Sequence, residues 1–243
     1  MRYLIKFSYD GSNFSGFQKQ PNLRCVESEF EKALFNINNK KVTPFVSSGR
    51  TDRGVHALSQ TAHFDLDIDI TLYKLKCALN SLLPSDIHVF SVEVVSDDFH
   101  ARYMAKEKTY EYLMNIAEYD SIKRKYIYQY CKDIDVKRMN KAIKNFIGEH
   151  DFEYFVSEEA KKSNYKRIIY DAYIEKDKNI IKFVFKGSGF MKYQVRNMVG
   201  TLIKIGNGKL DIDIIDDLLK LKANRDLVSA AKREGLYLVE VKY

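Results

Sequence analysis

Two stretches far apart in the chain share most of their residues. IKFSYDGSNF begins at Ile5 and IKFVFKGSGF begins at Ile181, and the two are identical at six of ten positions. Each has the alternation of a strand, followed by a Gly-Ser turn and a phenylalanine. The likeness can come from the shared composition of strand–turn segments, or from a duplicated unit whose two sheets meet beside a groove. A duplication would build the chain from two similar halves.

Hydrophobic periodicity predicts the order β-α-β-β-α-β in the first half. The apolar stripe that begins at Val26 is typical of an amphipathic helix, and alternation puts Leu58 and Phe64 on one face of a strand. The expected elements are a strand up to residue 9, a helix over 26–37, strands over 42–46 and 58–66, a helix over 71–83 and a strand over 87–95.

The second half is expected to repeat much of this order. Its predicted elements are a strand over 110–116, a helix over 136–147, strands around 168–174 and 180–185, helices over about 190–205 and 212–222, and a final strand over 236–243. We therefore predict an α+β fold with two domains, residues 1–104 and 105–243. A groove between them is the first place to seek a function.

The composition indicates a globular protein. Hydrophobic residues make up 45% of the 243 residues, and no run approaches the roughly 18 apolar residues of a membrane span. The N-terminus reads as a strand instead of a signal peptide, so we expect a cytoplasmic location. The cysteines at 25, 77 and 131 lack the spacing of a disulfide frame or a zinc site, so no metal is expected.

Positive charge is concentrated in the second half of the chain. Residues 1–104 contain 12 Lys and Arg against 12 Asp and Glu, so residues 105–243 carry the whole net charge of +7. A polyanionic partner such as RNA would be attracted to that half first. A lysine-rich genome would give the same excess, so charge alone leaves the partner open.

The stretch SSGRTDRGVHALSQ places a carboxylate between two arginines in a turn. Asp and Gly stabilise ordinary turns, and most aspartates in this setting have no chemical role. Here Gly49 and Gly54 allow a close bend around Asp52, and Arg50 and Arg53 would keep its carboxylate ionised, as a nucleophile requires. Asp52 is therefore the candidate nucleophile.

A second candidate group lies in KYQVRNMVGTLIKIG, which is expected to be helical. Arg196 shares one side of that helix with Val199 and Ile203, so its guanidinium would point toward the interior. An inward guanidinium needs an anion, because an unpaired buried charge costs about 3–5 kcal/mol. Asp52 is one candidate partner, and any of the other acids is an alternative.

Other polar signals are expected to be structural. His56 and His63 would face opposite sides of an extended strand, which suits hydrogen-bonded roles better than a shared metal. Asp65, Asp67 and Asp69 alternate with apolar residues but lack the Gly and closing Glu of a calcium loop. They predict a solvated strand face.

Seven distinctive blocks follow one another along the chain: YDGSNFSGFQ, GRTDRGVHALSQ, ALNSLLPSDI, FHARYMAKEKTYEYL, GEHDFEYF, FMKYQVRNMVGTLIKIGNG and GLYLVEVKY. Together these seven blocks make the chain resemble the tRNA pseudouridine synthase A family. The resemblance runs from the first strand to the last. It is specific because the seven blocks are collinear.

The resemblance implies an enzyme that isomerises uridine to pseudouridine in RNA, detaching the base from C1′ and rejoining it through C5. It implies that Asp52 is the nucleophile, that Tyr110 stacks on the target base and that Arg196 pairs with the aspartate. Arg50 would help to flip the nucleotide out of its stack. Attack at C1′, attack at C6 and a glycal intermediate all remain open. No cofactor or metal is required, because the isomerisation transfers no electrons and hydrolyses nothing.

The resemblance also implies the fold, the assembly and the substrate. The fold would be two ferredoxin-like subdomains, similar to RNA-recognition motifs, that share a central antiparallel sheet with the active cleft between them. The enzyme would be a homodimer. Its expected substrate is the anticodon stem-loop of tRNA, at uridines 38–40, approached by shape. Arg53, His100 and Arg102 are expected on the RNA side of the site.

Departures from the family pattern leave alternatives open. They are Cys25, Lys108, Lys192, Gln194 and residues 229–234. Because they fall on edges expected to face RNA, ribosomal RNA is an alternative substrate. An RNA-binding module without turnover is another alternative, although three separated catalytic groups favour an enzyme. A nucleosidase or glycosidase would ordinarily need a second acid near Asp52, where the motif has arginines.

Overall fold

A computed structural model describes residues 1–157 and 164–243 and divides the chain into two compact units. The first unit comprises Met1–Lys106 together with Leu238–Tyr243, and the second comprises Glu107–Tyr237. Both contain helices and strands, so the predicted α+β class is confirmed. The division into subdomains at residue 104 and their ferredoxin-like character stay predictions.

The first unit is built around a short antiparallel sheet. Its elements are β1 (Arg2–Tyr9), α1 (Val26–Ile37), β2 (Val46–Ser47), β3 (His56–Asp65), α2 (Leu72–Leu82) and β4 (Ile87–Val95), with a 3-10 turn at Gly11–Asn13. β1 lies between β4 and β3 and is antiparallel to both, while β2 pairs with β3. The five longer predicted elements, β1, α1, β3, α2 and β4, are confirmed within a few residues.

An aromatic core holds the first helix to the sheet. Phe7 of β1 is fully buried, and its ring lies 4.5 Å from that of Phe30 on α1. Phe45 stacks on Phe30 with ring centroids 4.4 Å apart. Burying aromatic side chains of this size supplies most of the hydrophobic stabilisation of a small unit.

Two predictions for the first unit were wrong in detail. The strand expected over 42–46 is reduced to Val46–Ser47, and Val42 is exposed. Leu58 does not share the buried face of β3, because it is 51% exposed. The register with β1 shifts between Phe7 and Tyr9, which pair with Gln60 and Ala57. This bulge adds one residue to β3 and reverses the alternation, so Leu58 turns outward.

The second unit contains a four-stranded antiparallel sheet in the order β5-β9-β8-β7. Its elements are β5 (Glu107–Asn115), β6 (Tyr128–Gln129), α3 (Val136–Ala142), β7 (Gly148–Asp151), β8 (Lys166–Asp177), β9 (Ile180–Gly187), α4 (Gln194–Gly206) and α5 (Ile214–Leu219). β10 (Leu236–Lys242) begins in this unit and ends in the first. Further 3-10 turns cover Lys123–Lys125, Ile143–Phe146, Glu153–Phe155, Arg225–Leu227 and Arg233–Gly235.

Helix α4 forms the centre of the second unit. Most of its residues are buried, including Met198 and Leu202, and it packs against α3. It begins four residues later than predicted, because Tyr193 has a left-handed backbone with φ of 69° that ends the preceding turn. In the described part of the chain, no helix combines the length and the apolar character needed to cross a membrane.

Candidate active site

Asp52 lies on the loop between β2 and β3, at the start of a tight turn. The Val55 N–H donates to the Asp52 carbonyl at 3.2 Å, and Gly54 has a φ of 74°, which a residue with a side chain adopts only with strain. The Asp52 residue is half-buried, and Arg53 beside it is exposed. The turn thus fixes the backbone of the candidate nucleophile at a half-buried position.

Two glycines from the loop after β1 allow the chain to approach this turn closely. A methyl group at Gly11 would lie 2.0 Å from the carbonyl oxygen of Val55, which is shorter than any real contact. At Gly16, where φ is 116°, a methyl group would lie 3.4 Å from the backbone nitrogen of Arg53. The turn therefore packs on backbone, so its position does not depend on side-chain rotamers.

Hydrogen bonds from buried polar groups also support the loop that carries Asp52. The hydroxyls of Tyr9 and Thr51 are 2.8 Å apart, and the Phe17 N–H donates to the Thr51 carbonyl at 3.1 Å. Burial raises the pKa of Tyr9, so its phenol stays protonated and hydrogen-bonded. On the other side, the Gln60 amide donates to the Gly49 carbonyl at 3.1 Å and accepts from the Ser48 hydroxyl at 2.6 Å.

The two histidines of β3 have the hydrogen-bonded structural roles predicted for them. His56 is 2% exposed, and its Nδ1 accepts from the Gly11 N–H at 3.1 Å and lies 3.2 Å from Asp10 Oδ1. His63 Nδ1 accepts from the Ala101 N–H at 3.1 Å. His56 therefore ties the glycine loop to the strand that leaves the Asp52 turn.

The arginines that flank Asp52 do not clamp its carboxylate. Arg50 and Arg53 are both exposed, and neither forms an ion pair with any carboxylate among residues 1–157 and 164–243. That they keep the Asp52 carboxylate ionised stays a prediction. Both guanidiniums instead face solvent, where a phosphate could reach them.

His100 and Arg102 lie on a second loop of the first unit, after β4. Arg102 is exposed. His100 is half-buried, and its Nδ1 accepts from the N–H groups of Arg102 and Tyr103 at 3.2 and 3.3 Å. One ring nitrogen of His100 is thus used within the loop, and contact of either residue with RNA stays a prediction.

Tyr110 lies in the second unit, near the start of β5. It stands opposite Phe185 of β9, and its ring meets the edge of Phe190 at 5.1 Å. The side chain is 8% exposed, so its orientation is fixed by packing. Lys108, one of the departures from the family pattern, stands opposite Gly187 two residues before it.

Arg196 lies in the first turn of α4 and is half-buried. Its Nε donates to the Ala231 carbonyl at 2.9 Å, and the Ala231 N–H donates back to the Arg196 carbonyl at 2.9 Å. Its Cζ lies 4.8 Å from the centre of the Tyr193 ring. These contacts set the plane of the guanidinium.

The predicted site residues are thus divided between the units. Asp52, Arg50 and Arg53 share one loop of the first unit, and Tyr110 and Arg196 belong to the second. Across residues 1–157 and 164–243, no three His, Cys, Asp or Glu side chains are grouped to hold a metal ion.

Sequence reasoning missed the supports of the Asp52 turn. They are Tyr9, Gly11, Gly16 and Gln60. The available signal was YDGSNFSGF, in which two glycines follow a strand without forming a simple hairpin. Glycine in such a place often marks a close backbone approach.

These features define a class of protein. An aspartate on a rigid turn, exposed guanidiniums beside it and an excess of positive charge suit an enzyme that performs carboxylate chemistry on a polyanion. A nucleic-acid-modifying enzyme is the class that combines both.

The comparisons with known proteins name the family. A family model described as tRNA pseudouridine synthase matches residues 5–104 and 142–243. The tRNA pseudouridine synthase A of Streptococcus agalactiae serotype Ia is 45% identical over 246 residues, covering 100% of this chain and 95% of the relative. That of Lactococcus lactis subsp. lactis is 44% identical over 250 residues, covering 100% and 97%. The chain belongs to the tRNA pseudouridine synthase family, whose members isomerise uridine to pseudouridine in tRNA.

Solved structures were also compared with this chain. A chain of a Cbf5-Nop10-Gar1 complex covers 94% of this chain and 70% of its own length, with 10% identity and a TM-score of 0.33. That likeness is too weak to carry an argument about fold or function.

Proposed function

We propose that this protein isomerises uridines 38–40 in the anticodon stem-loop of tRNA, with Asp52 as the nucleophile. The observation that carries the proposal is the construction of the Asp52 turn. Backbone contacts from Gly11 and Gly16 hold the turn that carries the half-buried Asp52, and its neighbours Arg50 and Arg53 are exposed. Such a carboxylate can reach a reacting atom without first reorganising its loop.

The reaction needs one bond to break and one to form on the same face of the sugar. The N1–C1′ bond of uridine breaks, the base turns, and C5 bonds to C1′, while N1 gains a proton and the C5 hydrogen leaves as a proton. Asp52 would act as the nucleophile on one of the two fragments, at C1′ of the sugar or at C6 of the base, while the other fragment stays bound beside it. The structure of the transient intermediate is left open by this proposal.

The other catalytic roles follow the family resemblance. Tyr110 would stack on the flipped base, and its packing against Phe190 supports a fixed ring. Arg196 would supply the positive charge that keeps the nucleophile ionised, and its Nε bond to the Ala231 carbonyl supports a fixed orientation. No cofactor or metal enters the proposed scheme.

The substrate side of the proposal uses exposed cations. Arg50 would enter the space left by the flipped nucleotide, and Arg53, His100 and Arg102 would contact the RNA around it. Arg50, Arg53 and Arg102 are exposed, which suits contact with phosphates. We also propose a homodimer in the cytoplasm, as the resemblance implies.

A release assay tests the proposal against its alternatives. The protein is incubated with tRNA and, separately, with ribosomal RNA, each tritiated at uridine C5. We expect tritium to enter water from tRNA, in amounts that match pseudouridine mapped at positions 38–40. Release from ribosomal RNA alone would favour that substrate.

Two further outcomes would contradict the reaction itself. Tight RNA binding without tritium release would indicate a binding module that lacks turnover. Free uracil in place of pseudouridine would indicate a nucleosidase.

A further inference from the structure

The 99–104 turn, FHARYM, follows β4 and has an internal framework of its own. The Met104 N–H donates to the His100 carbonyl at 3.0 Å. The N–H groups of Arg102 and Tyr103 both donate to His100 Nδ1, at 3.2 and 3.3 Å. One imidazole therefore organises the backbone of the whole turn.

The same turn is attached to the sheet of the first unit. Ala101 is fully buried, its N–H donates to His63 Nδ1 at 3.1 Å, and its carbonyl accepts from the Tyr243 hydroxyl at 3.0 Å. Arg2 donates to the Phe99 carbonyl at 2.9 Å. A turn attached through residues of β1 and β3 and through Tyr243 loses little conformational entropy when it binds a partner.

What this turn presents to solvent is an aromatic ring beside a cation. The Tyr103 side chain is 77% exposed, and the His100 ring lies 4.2 Å from it at an interplanar angle of 31°. The Arg102 Cζ lies 5.9 Å from the centre of the Tyr103 ring. An exposed tyrosine held this rigidly is a ready surface for stacking.

The charge beside the ring is available to a partner. Within residues 1–157 and 164–243, Arg102 forms no ion pair. The charges of the two acids that precede the turn, Asp97 and Asp98, help to raise the pKa of Arg2. The exposed group consists of a few side chains, whose area is far below the roughly 800 Å² that a stable protein interface covers on each partner. One ring and one guanidinium do match one base and one phosphate.

We propose that the 99–104 turn binds an unpaired nucleotide of the tRNA substrate other than the target uridine, with its base stacked on Tyr103 and its phosphate held by Arg102. This inference rests on the proposed function, since it assumes that tRNA is the substrate. His100 acts as a positioning residue that holds both groups. The turn thereby contributes to the choice of RNA and not to the chemistry.

A fluorescent reporter tests the stacking directly, because the chain contains no tryptophan. In the Tyr103→Trp variant, binding of a tRNA transcript should quench the new fluorescence as a base stacks on the indole. Tyr73, on α2 of the same unit, is equally exposed at 77% and provides the matched control. The Tyr73→Trp variant should keep its fluorescence. Equal responses of the two variants would overturn the proposal.

Affinity measurements give a second, independent readout. Tyr103→Ala should weaken tRNA binding about tenfold, as loss of one base stack does. Tyr103→Phe should stay within twofold of the wild type, and Tyr73→Ala should match it. Turnover at saturating tRNA should not change in the Tyr73→Ala control. A fully paired RNA duplex of similar length should bind the Tyr103→Ala variant and the wild type alike.

The two proposals fail in different ways. If Tyr103→Ala binds tRNA as tightly as the wild type while the wild type releases tritium, the nucleotide site is wrong and the proposed function stands. If Tyr103→Ala loses as much affinity for the fully paired duplex as for tRNA, the proposed base stacking is wrong. If the variant loses tRNA affinity but the wild type releases no tritium, the site stands and the proposed reaction is wrong.

Discussion

At the scale of single residues, Gly11 is the most restricted position near the candidate nucleophile. Its Cα faces the Val55 carbonyl, and the Gly11 N–H is bonded to His56. Neither contact requires the Gly11 residue to have an unusual φ. Space alone excludes a side chain there, so the position is set by the approach of two backbones.

We therefore predict that Gly11→Ala both destabilises the protein and lowers its activity. The methyl group would have to displace the Val55 backbone, at a cost of about 1–3 kcal/mol for overpacking a rigid site. Urea denaturation measures the loss in free energy of unfolding. Gly189→Ala is the control, because a methyl group at Gly189 meets nothing within 4 Å. Equal midpoints for the two variants would contradict the close approach.

His63 gives a prediction about pH. Burial, with Arg2 and His100 nearby, lowers the pKa of His63 from 6.5 to about 4, although Asp65 opposes the shift. Between pH 6.5 and about 4, His63 is therefore protonated in the unfolded chain but neutral in the folded chain. Stability should fall as the pH drops from 6.5 toward 4, with no further loss from His63 below that.

The His63→Gln variant isolates this contribution. Glutamine can still accept the Ala101 N–H but cannot titrate. The difference in urea midpoint between wild type and variant should shift steadily in favour of the variant from pH 7 to pH 4.5. A difference that stays constant over this range would show that His63 titrates normally.

At the scale of elements, an ion pair between Arg24 and Asp86 attaches the loop between β1 and α1 to the segment before β4. Arg24 donates from Nη1 and Nη2 to the two carboxylate oxygens of Asp86, at 2.7 and 2.8 Å, just before β4. The Arg24 Cζ also lies 4.1 Å from the centre of the Phe14 ring. The pair thus connects the glycine loop to the segment that leads into β4.

A graded pair of substitutions tests this connection. Arg24→Lys should lower the free energy of unfolding by about 0.5–1 kcal/mol, because lysine cannot form the two parallel bonds. Arg24→Ala should cost more, since stacking on Phe14 is lost as well. Lys32→Ala, which removes an exposed pair with Glu29 on α1, should have almost no effect. If Arg24→Ala behaves like the Lys32 control, the loop is held by other contacts.

Elements with a clear hydrophobic period were predictable from the sequence. Features set by strand pairing or by the backbone conformation of one residue were not. The stripe from Val26 located α1, and alternation located β4 within one residue. The bulge that exposes Leu58 depends on pairing with β1, and the late start of α4 depends on the backbone of Tyr193. Neither feature has a periodic signal in the sequence.

At the scale of the whole molecule, the net charge of +7 predicts a strong effect of salt. Each phosphate contact releases counterions, so log K should fall linearly with log salt concentration. Arg50→Ala and Arg53→Ala should each lower that slope by roughly one unit. Lys32→Ala should leave it unchanged. A tRNA affinity that does not vary with salt would remove phosphate contact from the account.

The proposed catalytic set could be named only through the whole sequence. Asp52 belongs to the first unit, whereas Tyr110 and Arg196 belong to the second. Local chemistry identified Asp52 as a candidate, but it left the partner of Arg196 open and gave Tyr110 no role. Resemblance across seven blocks linked all three. The supports under Asp52 remained hidden, because close backbone contacts leave only glycines as their trace.

The most direct test of the account is pseudouridine formation by Asp52→Asn under single-turnover conditions, with excess enzyme on tRNA tritiated at uridine C5. The account predicts no tritium release, with tRNA affinity close to that of the wild type, because the amide keeps the shape of the turn but cannot act as a nucleophile. Asp69→Asn, at an exposed position of the same unit, should react normally. Release by Asp52→Asn at a rate near that of the wild type would contradict the account.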